Sequence, residues 1–249
     1  MFGIEATPSP ETQRSPVPPN RLQLLDERQI RAHTPRVAIF VSRRDHCLAD
    51  LLRAHRNGEL HCQIPLIISN HYDLSALAEA YDIAFHHVLV QRDLRNQAEA
   101  VQLELLRQHQ VDLIVLARYM QVLSAEFVRR YEHRIINIHH SLLPAFAGAE
   151  PYHRAYERGV KIIGATAHYV TEVLDDGPII EQDVIRVSHR DSVQDLIRKG
   201  ADLEKAVLTR AVKWHISNRV RVHLNRTVVV DDDVDMTYPM LEMAYGAIG

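Results

Sequence analysis

The chain is 249 residues long, 46% hydrophobic and 24% charged, with a net charge of -3, which suits one large water-soluble core. That balance argues against general nucleic-acid binding, which needs clustered Lys and Arg, and no apolar run approaches the roughly 20 residues of a membrane helix. Its two cysteines, Cys47 and Cys62, make no disulfide framework, so a reducing, cytoplasmic setting is expected.

Residues 1–35 hold six of the eleven prolines and no strand pattern, and a largely disordered arm is expected there. Arg36–Ser42 reads as a buried strand. A helix follows, capped by Asp45, with Leu48, Leu51 and Leu52 on one face and Gly58 as its stop. Ile64–Ser69 and Ile83–Val90 are the second and third strands. Leu94, Ala98, Val101 and Leu105 recur at helical spacing, which predicts a helix over Arg92–His109 with those four turned to the core. Leu113–Ala117 is a fourth strand, Ser124 caps a short helix ending near Tyr131, and Ile135 and Ile136 lead into a fifth strand. Nearly all-apolar strands alternating with helices predict an α/β fold with a doubly wound, mostly parallel sheet and flanking helices.

The pattern then changes. Pro151 opens a short helix that Gly159 closes. Gly164–Thr171 and Ile179–Ser188 follow as strands joined by Asp175-Asp176-Gly177-Pro178. With no crossover helix between them, they form an antiparallel pair in the second half. Ser192 begins a long helix with Leu196, Gly200, Leu203, Val207, Ala211 and Trp214 on one face. Val220–Val230 reads as a hairpin around Leu224-Asn225, and 231–249 as a tail, so the folded domain is 36–230.

A doubly wound sheet invites a glycine-rich phosphate loop, but Gly3 and Gly58 are the only glycines in the first 147 residues. The turn after the first strand is Ser42-Arg43-Arg44-Asp45-His46, whose backbone cannot approach a pyrophosphate as glycine does. No dinucleotide cofactor is expected; Arg43 and Arg44 read as solvated charges or as contacts for an anion. Sixteen histidines suggest metal, yet no H-x-x-x-H lies on a helix and no third ligand stands out, so no metal is expected. Ser141 lacks the G-x-S-x-G setting of a nucleophile and suits a turn that bonds its own backbone.

Asn137 and His139 occupy alternate positions at the end of the fifth strand and so share a face, whereas His140 turns away to pack or orient neighbours. An Asn at a strand end is more often a turn residue, and a lone His more often structural. The balance shifts modestly because His168 and the turn carrying Asp175 can converge on the same face. An amide, an imidazole and a carboxylate suit acyl transfer or hydrolysis, with oxyanion stabilisation by the first two and proton movement by the third. Partial burial is expected to raise the pKa of Asp175.

The set N-I-H-H-S-L-L-P, G-A-T-A-H-Y-V and L-D-D-G-P-I-I resembles the folate-dependent formyltransferase fold, whose pattern has Asn, a His two residues on, and an Asp seven residues after a strand His. Those positions are Asn137, His139 and Asp175, counted from His168. S-R-R-D-H-C-L-A-D-L-L, A-R-Y-M-Q-V-L-S, P-Y-H-R-A-Y-E-R-G-V-K and S-H-R-D-S-V are similar to the formyltetrahydrofolate deformylase family over about Arg36–Val230. The resemblance implies hydrolysis of 10-formyltetrahydrofolate to tetrahydrofolate and formate, in one-carbon and purine metabolism, with no cofactor. It further implies a folate site along Met120, Gln121, Val122 and Leu123 and beside His168, Thr171 and Glu172. The bland reading of Met120, Val122 and Leu123 is core packing, which is compatible. The same residues would also serve formyl transfer to a small amine, or folate binding without turnover. The family's amino-terminal ACT-type regulatory domain is not expected from residues 1–35, Glu150 stands where a basic or amide residue is usual, and a homo-oligomer is expected.

Overall fold

The computed structural model describes residues 33–144 and 151–230. The arm, apart from its last three residues, the tail over 231–249 and Glu150 fall outside them. Seven strands form the main sheet: β1 (Arg36–Val41), β2 (Gln63–Ser69), β3 (Ala84–His87), β4 (Leu113–Leu116), β5 (Ile135–His139), β6 (Ile162–Tyr169) and β7 (Ile179–Arg186). Their order is β3-β2-β1-β4-β5-β6-β7. The first five are parallel, β6 runs against β5, and β7 runs against β6. The expected mixed, doubly wound α/β sheet is present. A separate hairpin, β8 (Val220–His223) with β9 (Arg226–Val229), turns at Leu224, whose φ is 52°.

Alternation along β1, β4 and β5 feeds two cores, one on each face of the sheet. From β1, Val37, Ile39 and Val41 enter one core and Ala38 and Phe40 the other. The first core is covered by α1 (His46–Arg56), through Leu48, Leu51 and Leu52, and by the long α6 (Val193–Ile216), through Leu203, Val207, Leu208 and Ala211. Helix α3 (Arg95–Gln108), entered by a 3₁₀ turn over Arg92–Leu94, covers the second with Ala98 and Leu106. Helix α4 (Ala125–Arg130) adds Phe127 and Val128 there. Short α2 (Ser75–Glu79) precedes β3, and α5 (Pro151–Arg158) lies between β5 and β6.

Local signals explain several ends. Ser192 and Asp195 form a reciprocal capping box at α6, and the Ser124 hydroxyl accepts from Phe127 N–H at α4. Gly58 and Gly159 follow α1 and α5 at φ +76° and +66°, the left-handed stop that glycine allows. Asp45 precedes α1 but makes no side-chain cap.

One expectation was rotated. On α3 the buried residues are Ala98, Glu99, Gln102 and Leu106, while Leu94 and Val101 are 43% and 51% exposed. The polar pair goes inside because it has partners there. Gln102 Nε2 donates to Tyr119 Oη at 2.9 Å, and Glu99 accepts the Ser124 backbone N–H at 2.8 Å as well as its hydroxyl. Partnered buried polar groups cost little, although Gln102 Oε1 has no hydrogen-bond partner, and these bonds tie α3 to the loop after β4.

Candidate active site

Ile136 and Ile138 of β5 enter the α1/α6 core, while Ile135 enters the other. Asn137 and His139 therefore point toward the α3/α4 side. On β6 the first core takes Ala165, Ala167 and Tyr169, which turns Thr166 and His168 to the side of Asn137. The antiparallel register sets Asn137 opposite His168 and His139 opposite Thr166. Beside His168 the β6–β7 register slips, with Ala167 opposite Glu181 and His168 opposite Ile179, a bulge of the kind that re-aims a side chain near a site.

Asp175 arrives from the turn after β6 at φ 56°. That turn is held against the strand by Tyr169 N–H donating to Pro178 O at 2.9 Å, and a Cβ at Gly177 would fall 1.8 Å from Tyr169 O. Only glycine allows that approach.

The three candidate catalytic groups meet. His139 Nδ1 lies 3.2 Å from Asp175 Oδ2, and its Nε2 is buried with no hydrogen-bond partner. His168 Nδ1 is 2.9 Å from Tyr169 O and must donate to it, since a carbonyl only accepts. Its Nε2 then faces the Asn137 amide at 3.2 Å and Asp175 Oδ1 at 3.7 Å. In the neutral ring Nε2 accepts from Asn137 Nδ2, orienting that amide and leaving its second N–H free for another acceptor. The Asp175 carboxyl is held well below the usual carboxylate range by its hydrogen bond to His139 and by the His168 imidazole facing it, which together outweigh burial. The raised pKa expected from burial is thus reversed, because two imidazoles face the carboxylate.

All ten expected site residues line one cavity of about 530 Å³ at the ends of β4, β5 and β6. Met120 and Val122 are 63% and 57% exposed and form its lip with Leu174, so they are not core residues. The loop carrying them is pinned: Met120 N–H donates to Ser42 Oγ at 3.0 Å, and that hydroxyl donates to Asn70 Oδ1 at 2.7 Å. Gln121, Leu123 and Thr171 line the same cavity, as does Glu172, which pairs with Arg129 at 3.0 Å. His168, only 2% exposed, forms the floor under Asn137 and Asp175.

Sequence reasoning missed Ser42 as an anchor, and also Arg118. Arg118 lines the cavity with a left-handed backbone, φ 63°, a conformation that costs a non-glycine residue about 1 kcal/mol or more and gathers at functional sites. His140 is corrected as well. It follows the last strand residue, so strand alternation does not govern it. It lines the cavity, with its ring edge-on to His139 at 5.2 Å and to Tyr152 at 5.9 Å. Burial pushes its pKa down to about 4.

Among the described residues, one group has metal-ligand spacing: His46, Cys47 and Glu204, with donor atoms within 4.8 Å of one another. Glu204 is already engaged by the Tyr152 hydroxyl at 2.6 Å and His46 Nε2 at 2.8 Å. Burial pushes the Cys47 thiol well above its ordinary value, away from the thiolate that metals bind.

A sheet of this order, with an amide, an imidazole and a carboxylate converging at its strand ends, has counterparts among known proteins. The formyl transferase family model matches residues 35–212, and the chain belongs to that family. Its relatives narrow the class. A formyltetrahydrofolate deformylase from Synechocystis sp. is 60% identical over 78% of this chain and 68% of its own. The crystal structure of a formyltetrahydrofolate deformylase from Pseudomonas syringae pv. tomato superposes with a TM-score of 0.79 at 54% identity, over 80% of this chain and 67% of that one. A glycinamide ribonucleotide transformylase from Symbiobacterium toebii shares the fold at a TM-score of 0.74 but only 31% identity, over 80% of this chain and 95% of that one. The chain spans about two thirds of the length of its deformylase relatives.

Proposed function

We propose that this chain hydrolyses 10-formyltetrahydrofolate to tetrahydrofolate and formate, with Asn137, His139 and Asp175 as the catalytic set. The formyl group is an amide on an aryl nitrogen. Water adds to its carbonyl carbon, the carbonyl oxygen becomes an oxyanion, the C–N bond breaks and N10 takes a proton. The Asn137 amide and the imidazolium form of His139, through Nε2–H, donate to the oxyanion. Asp175 holds His139 Nδ1–H and orients the water. A carboxylate held so acidic is a weak base at rest. As the oxyanion forms, it shares the imidazolium charge, and the proton affinity of Asp175 rises, so the water proton transfers to it and then on to N10.

One observation carries the reading: His139 is bonded to Asp175 on one nitrogen, while the other is buried without a partner in a side chain that lines the cavity. The pterin would lie along Met120–Leu123 and beside Thr171 and Glu172, supported by the position of all six at the same cavity. The glycine-free turn after β1 favours water over a phosphorylated amine as acceptor. This chemistry calls on no metal or cofactor. The reading includes a cytoplasmic setting and a homo-oligomer. The deciding experiment incubates the protein with 10-formyltetrahydrofolate alone and follows tetrahydrofolate and formate. Equal release of both supports hydrolysis, whereas formate that appears only with an added amine, or a formylated amine product, replaces it with transfer.

A further inference from the structure

Beside the first cavity lies a second of about 290 Å³, to which Arg44, His46, Glu204 and Tyr152 contribute. Arg118 and His140 line both cavities and so form the wall between them. Two arginines, Arg44 and Arg118, and one carboxylate, Glu204, contribute to its lining, so the guanidiniums outnumber the carboxylate. The carboxylate is itself engaged, by the Tyr152 hydroxyl at 2.6 Å and by His46 at 2.8 Å. Arg118 Nε approaches Glu204 at 3.5 Å as an ion pair but makes no hydrogen bond, and His140 Nδ1 has none either, although both atoms are buried. Buried polar atoms left without a partner are uncommon and ask for an explanation.

We propose that this second cavity receives the formate released by hydrolysis, a monovalent carboxylate held by Arg118 Nε–H and His140 Nδ1–H, with the exposed Arg44 at its mouth. The proposal rests on the hydrolytic reading for the identity of the anion. Once the C–N bond is broken, formate sits next to the Asp175 carboxylate, with the pterin closing the first cavity. Like charges repel at that separation. Across the wall formed by Arg118 and His140 lies the second cavity, where the formate meets guanidiniums instead of Asp175.

The test titrates ¹³C-labelled formate into the full chain without folate and reads line broadening. The wild type is expected to bind, Arg118→Gln to bind about tenfold more weakly through loss of a charge-assisted hydrogen bond, and Arg44→Gln a few-fold more weakly. Arg44 is exposed on a loop, so its variant remains informative should Arg118→Gln fail to fold. Saturating tetrahydrofolate is expected to leave formate bound. No formate binding, equal binding by wild type and both variants, or one-for-one displacement by tetrahydrofolate would each overturn the proposal, as would binding of inorganic phosphate with formate excluded. In turnover, Arg44→Gln is expected to raise the inhibition constant for formate by the same few-fold factor. Binding is read without catalysis, so an inactive protein that still binds formate through Arg118 sinks the hydrolytic reading and not the site. An active protein with no affinity for formate sinks the site alone.

Discussion

At the scale of single residues, the candidate site is a small electrostatic circuit: Asp175 faces His139 at 3.2 Å and His168 at 3.7 Å, and His168 faces the Asn137 amide at 3.2 Å. Asp175→Asn keeps the shape but removes the charge, and hydrolysis is expected to fall by about a hundredfold or more. Asn137→Ala removes one oxyanion donor, for an expected loss of about 100- to 1000-fold in kcat. Both are read as formate release from protein whose circular dichroism matches the wild type. Much of this circuit was legible in the sequence. Alternation along a strand puts Asn137 and His139 on one face, and the resemblance to the formyltransferase-fold pattern, counted from His168, implies Asp175 rather than its neighbour. What the sequence concealed was the protonation balance, because the number of imidazoles around a carboxylate is a tertiary fact. Arg118 and Ser42 were hidden for the same reason: their contacts cross between β1, β4 and α6.

At the scale of elements, the sheet and helices follow from period and punctuation, and the misreading of α3 shows the limit of periodicity. Leu94, Ala98, Val101 and Leu105 make an apolar stripe, yet the buried stripe is shifted about one residue because Gln102 and Glu99 have partners inside. Val101→Glu is therefore expected to change stability by no more than about 0.5 kcal/mol, whereas Leu106→Ala, at a fully buried position, is expected to cost about 2–5 kcal/mol in urea unfolding. Gly200 offers a second contrast. Replacing a helix-interior glycine by alanine ordinarily stabilises by about 1 kcal/mol. Here a Cβ would lie 2.1 Å from Tyr152 Oη and 2.3 Å from Cζ, displacing the ring that bonds Glu204 at 2.6 Å. Gly200→Ala is thus expected to destabilise by about 1–3 kcal/mol, with the loss visible in chemical denaturation.

For the molecule as a whole, acid sensitivity comes from imidazoles buried in neutral form. Burial pushes both His140 and His215 down to about 4, and His215 Nδ1 lies 2.7 Å from Tyr169 Oη. In the unfolded chain such rings titrate near about 6.5, so between the two values the unfolded state binds more protons. Stability is then full above pH of about 6.5 and declines toward about 4. Melting temperature is expected to fall across that window, and His215→Gln is expected to flatten the decline. A flat profile in the wild type would contradict the burial.

The pairing of Asn137 with His168 across β5 and β6 has a consequence for how such a protein can vary along its length. Two groups of the site are rungs of a single ladder, and their spacing is counted in residues. One inserted residue between Gly164 and His168 would send every later side chain of β6 through the sheet, exchanging His168 for the methyl of Ala167, and one deleted residue would bring the ring of Tyr169 there instead. Point substitutions can be absorbed one at a time; a change of chain length in those few positions cannot. Variation by insertion should therefore be confined to the loops, and the reading frame of β6 is as much a part of the site as the imidazole it carries.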